Sequence, residues 1–419
     1  MKLIFFLFLG VNCFAQSRIL LKADRVFDGE SMHVGWSVLV KGDRIEAVGL
    51  ITAVPANTTV ISIPGATLLP GLIEGHSHLF LHPYNETPWD EQVLNESRAE
   101  RTARAINHAR ATLMAGFTTV RDLGTEGAMY DDAALKKTIE KGIVPGPRMI
   151  VATRAIVARG TYGPKSDNPD INYPQGAAEV GNLAELLNEV RIQIGKGADL
   201  IKIYADYRWG KNKEAAPTFT IEELAAAVAV ANSGGRQVVV HAGSAEGMRR
   251  AILAGVSTIE HGDNGTPEIF ALMKEKKVAL CPTISAGIAV ANYKAAEKGM
   301  AVDSSAINQK KKTFRMAMQA GVTICMGGDV GVFSHGDNAR EMEWMVKYGM
   351  SVISVLRSAT SVNADVFGYT DEIGRLQKGL LADIIAVDGD PSTDVSLVKK
   401  VILVMKGGVI YKSPETIKK

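Results

Sequence analysis

The stretch that decides the fold is Leu68-Leu69-Pro70-Gly71-Leu72-Ile73-Glu74-Gly75-His76-Ser77-His78. Its apolar run predicts a buried strand, and the two histidines close that strand. Side chains two positions apart point to the same face of a strand, so His76 and His78 can bind one metal ion together. A divalent metal takes several nitrogen or oxygen donors at about 2.0–2.2 Å. His-x-His alone is a weak signal, so the rest of the chain has to supply the other donors.

Length and composition are those of an ordinary globular protein. The chain has 419 residues, 46% of them hydrophobic and 22% charged, which is enough for one large domain and a smaller one. The net charge of +2 gives no reason to expect nucleic acid or an anionic membrane surface as a partner.

The N-terminus has the pattern of a secretory signal. Lys2 is followed by an apolar run over residues 3–11 and by small residues near Ala15. The run is shorter than the roughly 20 residues that span a bilayer. We therefore expect residues 1–15 to be a signal peptide cleaved after Ala15, giving a periplasmic or secreted protein. Lipidation of Cys13 is the alternative, disfavoured by the bulky Asn12 before it.

The two remaining cysteines, Cys281 and Cys325, lie inside apolar runs. This setting favours buried free thiols over a disulfide. The fold is therefore not expected to depend on disulfide bonds.

Both ends of the chain read as β structure, and the middle alternates apolar strands with amphipathic helices. A hairpin turn is predicted at Lys41-Gly42-Asp43-Arg44, and a capping box at Thr220 and Glu223 starts a helix. The middle contains eight predicted strands. We expect an α/β protein: a (β/α)8 barrel over residues 68–373, and a small β-sandwich built from residues 16–67 and 374–419, after the 1–15 signal.

Residues that suit a metal fall where the predicted barrel strands end, which is where such barrels place their sites. They are His76, His78, His241, His261 and Asp329. Taken singly, each could be a polar loop residue, but five at one rim favour a metal centre.

Lys202 lies inside the apolar strand Leu200-Ile201-Lys202-Ile203-Tyr204. Burial favours the neutral amine, which can react with CO2 to give a bidentate carbamate able to bridge two metals. The alternative for Lys202 is a lysine whose ammonium group reaches the rim.

The pattern resembles the amidohydrolase superfamily, over essentially the whole mature chain. Residues 70–78, 198–204, 258–262, 331–339 and 379–384 carry the resemblance, and the middle three of these ranges resemble the imidazolonepropionase-like, Xaa-Pro dipeptidase branch. The resemblance implies a binuclear zinc site and cleavage of peptide-type amide bonds. His76, His78 and Asp329 would hold one metal and His241 and His261 the other. Carboxylated Lys202 would bridge both metals, and Asp329 would be the catalytic acid and base. A bridging lysine argues against a true imidazolonepropionase, which uses one metal.

The substrate-binding residues follow less directly from the sequence. The candidates are residues near the predicted strand ends: His82, Tyr84, Arg154, Arg159, Tyr204, Tyr207 and His335. An arginine there could bind a substrate carboxylate with two hydrogen bonds, and the alternative for each residue is a solvated loop position. Residues 156–183 are a long loop that could cover the site. The long segment over residues 206–220 departs from the short glycine-rich loop of the best-known dipeptidases in this branch, so it leaves the substrate open.

We therefore expect a metal-dependent hydrolase acting on dipeptides or N-acyl amino acids through metal-activated water. A hydrolase of another cyclic amide, lactone or ester is the second hypothesis, and a non-enzymatic barrel is the third. The expected partner is a small-molecule or dipeptide substrate, with no membrane span and with a homo-oligomer left open.

Overall fold

The structure is a computed structural model that describes residues 18–414. The predicted signal peptide, its cleavage point and Cys13 lie outside these residues. Within the described range, no helix is long and apolar enough to cross a membrane.

The strands are named in chain order. They are β1 (Arg18–Phe27), β2 (Met32–Val34), β3 (Ser37–Lys41), β4 (Arg44–Gly49), β5 (Thr58–Pro70), β6 (Leu72–Ser77), β7 (Phe117–Asp122), β8 (Arg148–Val151), β9 (Ile156–Ala158), β10 (Ala178–Val180), β11 (Leu200–Tyr204), β12 (Asp206–Tyr207), β13 (Ala216–Pro217), β14 (Gln237–Ala242), β15 (Thr258–His261), β16 (Ala279–Cys281), β17 (Ile384–Asp388), β18 (Val401–Lys406) and β19 (Val409–Lys412).

The helices are named in the same way. They are α1 (Trp89–Asn95), α2 (Arg98–Met114), α3 (Asp131–Glu140), α4 (Leu183–Lys196), α5 (Ile221–Ser233), α6 (Ala245–Ala254), α7 (Pro267–Lys276), α8 (Ile284–Lys298), α9 (Ser305–Ala320), α10 (Arg340–Lys347), α11 (Val352–Arg357) and α12 (Asn363–Phe367), with a π-helical turn at Ser358–Val362 and a 3₁₀ helix at Val395–Lys399.

One mixed sheet joins the two ends of the chain. In the described part of the chain its order is β19-β18-β17-β5-β1-β3-β4, with β2 paired to β1. Edge strand β4 meets the segment before β17, where Ile45 N–H donates to Leu380 O at 2.9 Å and Ala382 N–H donates to Asp43 O at 2.8 Å. The sheet has its own apolar core, which includes residues from both chain ends. The predicted hairpin between β3 and β4 is confirmed by the pairing of Lys41 with Arg44.

The middle of the chain forms two parallel sheets covered by helices. β6, β7 and β8 pair in that order, and β11, β14, β15 and β16 pair in that order. The α/β class is therefore confirmed. Individual backbone hydrogen bonds connect the sheets: Asp199 N–H donates to Val151 O between β8 and β11, and Cys325 N–H donates to Leu280 O beyond β16. These contacts follow the cyclic order of a (β/α) barrel without a continuous ladder at the junctions.

The segment predicted as the eighth strand differs most from the expectation. Residues 322–329 make only isolated parallel bridges, Ile324 with Leu280 and, just beyond the segment, Val330 with Ser77. Gly327, Gly328 and the left-handed Asp329 (φ 61°) interrupt the extended backbone that a ladder requires. The segment still reaches β6, since His78 N–H donates to Val330 O at 2.7 Å.

Two long loops carry short strands. Residues 156–183, which we expected to be a loop, include β9 and β10, and these pair in parallel beside β11. The segment after β11 includes the antiparallel pair β12 and β13.

Two local predictions are confirmed. The Thr220 side chain accepts a hydrogen bond from the Glu223 N–H, and the Glu223 side chain accepts one from the Thr220 N–H, so the capping box is present. Cys281 and Cys325 are buried free thiols, as predicted.

Candidate metal centre and active site

The predicted metal ligands lie at the carboxyl ends of the parallel strands. His76 is in β6 and His78 follows it, while Lys202, His241 and His261 belong to β11, β14 and β15. Several of these strand ends turn sharply at non-glycine residues with left-handed backbone. They are Thr153 (φ 63°), His261 (φ 75°), Thr283 (φ 50°) and Asp329 (φ 61°). Such strain is typical of functional positions held by the surrounding structure.

Imidazole nitrogens converge on the Asp329 carboxylate. Asp329 Oδ1 lies 3.6 Å from His76 Nε2 and 3.3 Å from His78 Nε2. Donor atoms of His76, His261 and Asp329 lie within 4.8 Å of one another. The His241 ring centroid is 4.4 Å from that of His261, so the fourth histidine borders the same group.

In three of the histidines, Nδ1 lies at hydrogen-bond distance from another residue of the chain. His76 Nδ1 lies 2.8 Å from Glu260 Oε2, His78 Nδ1 lies 2.8 Å from Gly124 O, and His261 Nδ1 lies 2.7 Å from Thr283 Oγ1. Such bonds fix the orientation of a ring and leave its other nitrogen free for a metal. The sequence analysis missed this supporting layer.

Glu260 connects His76 to a buried arginine. Arg121 Nη2 donates to Glu260 Oε1 at 2.8 Å, and Arg121 Nε donates to Gly75 O at 2.6 Å. Glu260 is inaccessible and Arg121 is 1% exposed. Burial would raise the pKa of Glu260, but Arg121 and His76 hold that pKa well below its usual range. Glu260 is therefore an anion facing His76.

Lys202 is buried in β11 on the same side of the sheet as the histidines. Burial lowers the pKa of its amine, against the opposing charges of Glu260 and Asp329. This lowered pKa makes the neutral amine, the form that carboxylation requires, more accessible than in an exposed lysine.

His76 and His241 have the neutral form that a metal ligand needs. Burial, followed by the charge of Lys202, lowers the pKa of His76 to about 4 and of His241 to about 3, so both rings are neutral near pH 7. His78 differs: burial lowers its pKa, but the Asp329 carboxylate, 3.3 Å from its Nε2, raises it to about 9. His78 and Asp329 thus form an ion pair within the protein alone.

The donor set fits a divalent cation. Asp329 Oδ1 is buried without a hydrogen-bond partner among residues 18–414, although imidazole nitrogens surround it. Neutral imidazoles with a carboxylate are the donors that zinc prefers. Another cluster joins His76, Glu260 and Cys281. That cluster is the weaker candidate, since His76 Nδ1 is already bonded to Glu260 and burial raises the pKa of the Cys281 thiol.

Three of the candidate substrate residues are tyrosines that border the centre. Tyr204 stacks on His241 with centroids 4.6 Å apart, and Tyr207 lies 6.1 Å from the same ring. Burial, followed by the charge of Asp329, raises the pKa of Tyr84 well above its usual value. These three side chains border the space next to the candidate metal centre.

The other candidates are placed differently. Both ring nitrogens of His82 face carboxylates, Glu86 and Glu96. His335 stacks on His108 and lies 3.0 Å from Leu81 O through Nε2. Exposed Arg159 pairs with Glu185, which occupies its guanidinium. Arg154 donates to Ala177 O, but its Nε is buried without a partner among the described residues.

Two acidic residues that the sequence analysis did not single out lie beside the site. Asp206 accepts from the backbone N–H groups of Gly243 and Ser244 and lies 3.8 Å from His241 Nε2. Glu126 is buried against Trp89 and Tyr162. Glu126 lies in a turn and Asp206 in the two-residue strand β12. An acidic residue in such a connecting segment is usually solvated, so the sequence offers no signal for either of them.

The parallel α/β arrangement, with histidines, a lysine and an aspartate at its strand ends, defines an enzyme with a candidate divalent-metal centre. The profile of the Amidohydrolase family matches residues 67–411, and the chain belongs to this family. It is a hydrolase that acts on amide bonds.

Known relatives match along nearly the whole chain. A crystal structure of a Xaa-Pro dipeptidase with bound methionine superposes with a TM-score of 0.84 and 33% identity, covering 95% of this chain and 100% of that one. Ochratoxinase of Aspergillus niger is 28% identical over 420 residues, covering 92% of this chain and 85% of the relative. Imidazolonepropionase of Deinococcus radiodurans is 24% identical, covering 86% and 87%. These likenesses imply a (β/α) barrel with a β-sandwich.

Proposed function

We propose that this protein is an exported hydrolase with a binuclear zinc centre that cleaves the amide bond of a dipeptide or N-acyl amino acid. The observation that carries the proposal is Asp329 Oδ1. This oxygen is buried without a hydrogen-bond partner among the described residues, although it faces the Nε2 atoms of His76 and His78. A carboxylate in that position is matched to a cation.

The ligand assignment follows the grouping of the donors. His76, His78 and Asp329 would hold one metal, and the adjacent His241 and His261 would hold the other. The Lys202 amine would attack the carbon of CO2 and lose a proton to solvent, and the resulting carbamate would supply an anionic ligand to the metals. The lowered pKa of Lys202 supports this step because only the neutral amine is a nucleophile.

Metals at these donors supply Lewis-acid polarisation of the scissile carbonyl and lower the pKa of water. The chain supplies orientation and proton transfer. Burial alone would raise the pKa of Asp329, but His76 and His78 hold it below its usual range, so the carboxylate is ionised. Asp329 accepts the proton of the attacking water and passes it to the leaving amine.

The leaving group that we propose is an amino acid with a free carboxylate. The likeness to a Xaa-Pro dipeptidase and to ochratoxinase supports this class. Arg154 provides a donor for the carboxylate, since its buried Nε has no partner among residues 18–414. Fixing that carboxylate orients the amide against the metals.

Kinetics on paired substrates test this proposal. Amidation of the substrate carboxylate should lower kcat/KM about tenfold or more, because a charged hydrogen bond contributes roughly 1.5–3 kcal/mol. Arg154→Met should abolish this preference, whereas the matched variant Arg159→Met should keep it, because Arg159 is occupied by Glu185. Equal rates of wild type on free and amidated dipeptides, or hydrolysis of lactones alone, would contradict the proposal.

Export is a separate part of the proposal and rests on the pattern of residues 1–15. Protein recovered from the periplasm or medium should begin at Gln16 when sequenced from its N-terminus. Recovery of the chain only from the cytoplasm with residues 1–15 attached would overturn export and leave the chemistry untouched.

A further inference from the structure

Glu126 presents an unpaired oxygen beside the metal centre. Its Oε2 accepts from Trp89 Nε1 at 3.0 Å and from Tyr162 OH at 2.8 Å. The residue is only 2% exposed, and its Oε1 is buried without a hydrogen-bond partner among residues 18–414. A buried carboxylate oxygen without a donor is costly, so its retention calls for a partner from outside the chain.

The backbone holds this carboxylate in a fixed place. Glu126 has φ of 48°, in the left-handed region that side chains rarely adopt. The buried Arg101 secures that turn, since Nη1 donates to Glu126 O at 2.7 Å and Nη2 donates to Thr125 O at 2.9 Å. Strain maintained by a buried arginine indicates a position with a function.

Aromatic rings cluster around Tyr162, whose hydroxyl donates to the Glu126 carboxylate. The Tyr162 ring centroid lies 5.1 Å from that of Trp89, 4.9 Å from that of Tyr204 and 5.0 Å from that of Tyr207. Aromatic faces carry negative potential and attract ammonium groups, and an anion among them strengthens this attraction. These four rings, Trp89, Tyr162, Tyr204 and Tyr207, are called the aromatic wall. Their chemistry favours a cation as ligand.

The wall adjoins both the metal donors and an opening to solvent. Tyr204 stacks on His241, and Gly124, two residues before Glu126, binds His78 Nδ1 through its carbonyl. On the other side, half-buried Trp89 lines a cavity of about 570 Å³ that Tyr84 and Tyr293 also border. Trp89 thus separates the carboxylate from a space that a substrate can enter.

We propose that Glu126 and this aromatic wall bind an ammonium group on the acyl side of the scissile amide. This inference rests on the proposed amide hydrolysis and narrows it. The substrate is then a peptide with a cationic acyl half and not a neutral N-acyl amino acid. The ammonium is the α-amino group or a basic side chain, and the two share one chemistry.

The test compares three substrates on metal-loaded protein: Phe-Leu, N-acetyl-Phe-Leu and N-acetyl-Lys-Leu. Glu126→Gln keeps an oxygen that can accept from Trp89 and Tyr162 but removes the charge. We expect it to lower kcat/KM about tenfold or more for Phe-Leu, and to leave N-acetyl-Phe-Leu unchanged. A loss confined to N-acetyl-Lys-Leu would assign the site to the side-chain ammonium. Glu91→Gln, an exposed position on the same helix as Trp89, is the matched control and should change none of the three rates.

An equal loss on all three substrates would show that Glu126 only supports the fold, and would overturn the proposal.

Calorimetry with L-phenylalaninamide adds a readout that does not need hydrolysis. Its dissociation constant should rise about tenfold or more in Glu126→Gln and stay the same in Glu91→Gln. If the wild type hydrolyses none of the three peptides but binds phenylalaninamide through Glu126, the peptidase proposal fails while the ammonium site stands. Equal binding of phenylalaninamide by wild type and Glu126→Gln, together with no selective loss on N-acetyl-Lys-Leu, would remove the site.

Discussion

His76 Nδ1 lies 2.8 Å from Glu260 Oε2, and both side chains are almost completely buried. Arg121 binds the other oxygen of Glu260. An arginine, a glutamate and a histidine thus form one hydrogen-bonded chain that ends at the candidate metal centre. Its members come from both parallel sheets: Arg121 and His76 from the neighbouring strands β7 and β6, and Glu260 from β15 in the other sheet.

Glu260→Gln tests this chain. The amide lacks the negative charge that orients His76 and raises its basicity, so metal affinity should fall roughly 10–100-fold. Competition with a chromogenic chelator measures the affinity. Exposed Glu275→Gln is the control and should match the wild type. Unchanged affinity in Glu260→Gln would show that the His76 ring is held by packing alone.

Lys202→Ala should lose most of the bound metal and the activity, because the carbamate would supply a ligand to both ions. Metal analysis of wild type purified without chelator should return close to two equivalents. After incubation with ¹³C-bicarbonate, wild type should show a carbamate carbon signal that Lys202→Ala lacks and that Lys312→Ala, an exposed lysine variant, retains. Full metal content in Lys202→Ala would refute the bridge.

Asp329→Asn should lower turnover by roughly 10²–10⁴-fold, since the amide cannot accept the proton of water. Asparagine also adopts left-handed backbone readily, so the turn at φ 61° should persist. Metal content must be measured beside turnover, because Asp329 is also a proposed ligand. Near-normal turnover with metal bound would assign proton transfer to another group.

Glu341 should make stability depend on pH. Its carboxyl accepts from the Ile284 and Ser285 N–H groups, yet burial raises its pKa from 4.5 to about 7. As pH rises, the carboxyl ionises near pH 4.5 in the unfolded chain but only near pH 7 in the folded protein. Its contribution to stability is therefore fully present below pH 4.5 and is lost as pH rises through 7. The full pKa difference corresponds to about 3 kcal/mol.

Denaturant unfolding of wild type and Glu341→Gln at pH 4.5 and pH 8 measures this contribution. The variant stays neutral, so the free energy of unfolding of wild type relative to the variant should be smaller at pH 8. Exposed Glu297→Gln should show no such trend relative to wild type. A difference that is constant with pH would show that Glu341 titrates normally.

The sequence was sufficient for features with a local pattern. Alternating and apolar runs located β6, β7, β11, β14 and β15, and the capping box located the start of α5. Strand ends then placed His76, His241 and the other donors at one rim, because parallel strands share that edge. The roles of these residues stay predictions.

Features that depend on contacts between residues far apart in the chain could not be predicted from the sequence. Arg121 and Glu260 lie 139 positions apart, and each looks in sequence like a charge that should avoid burial. The interruption of the eighth strand depends on the backbone at Asp329, which side-chain periodicity does not report. Glu126 was missed for the related reason that a loop carboxylate is normally solvated.

The sheet that unites both ends of the chain also bears on synthesis. β5 needs β17 as a neighbour, and more than three hundred residues separate them, so the first strands emerge from the ribosome long before their partners exist. At about 5–20 residues per second this interval is roughly 15–65 s. During that time the apolar faces of β1, β3 and β5 are without the strands that complete their core. The nascent chain is therefore exposed to aggregation mainly through its first seventy residues, and a holding chaperone would act there.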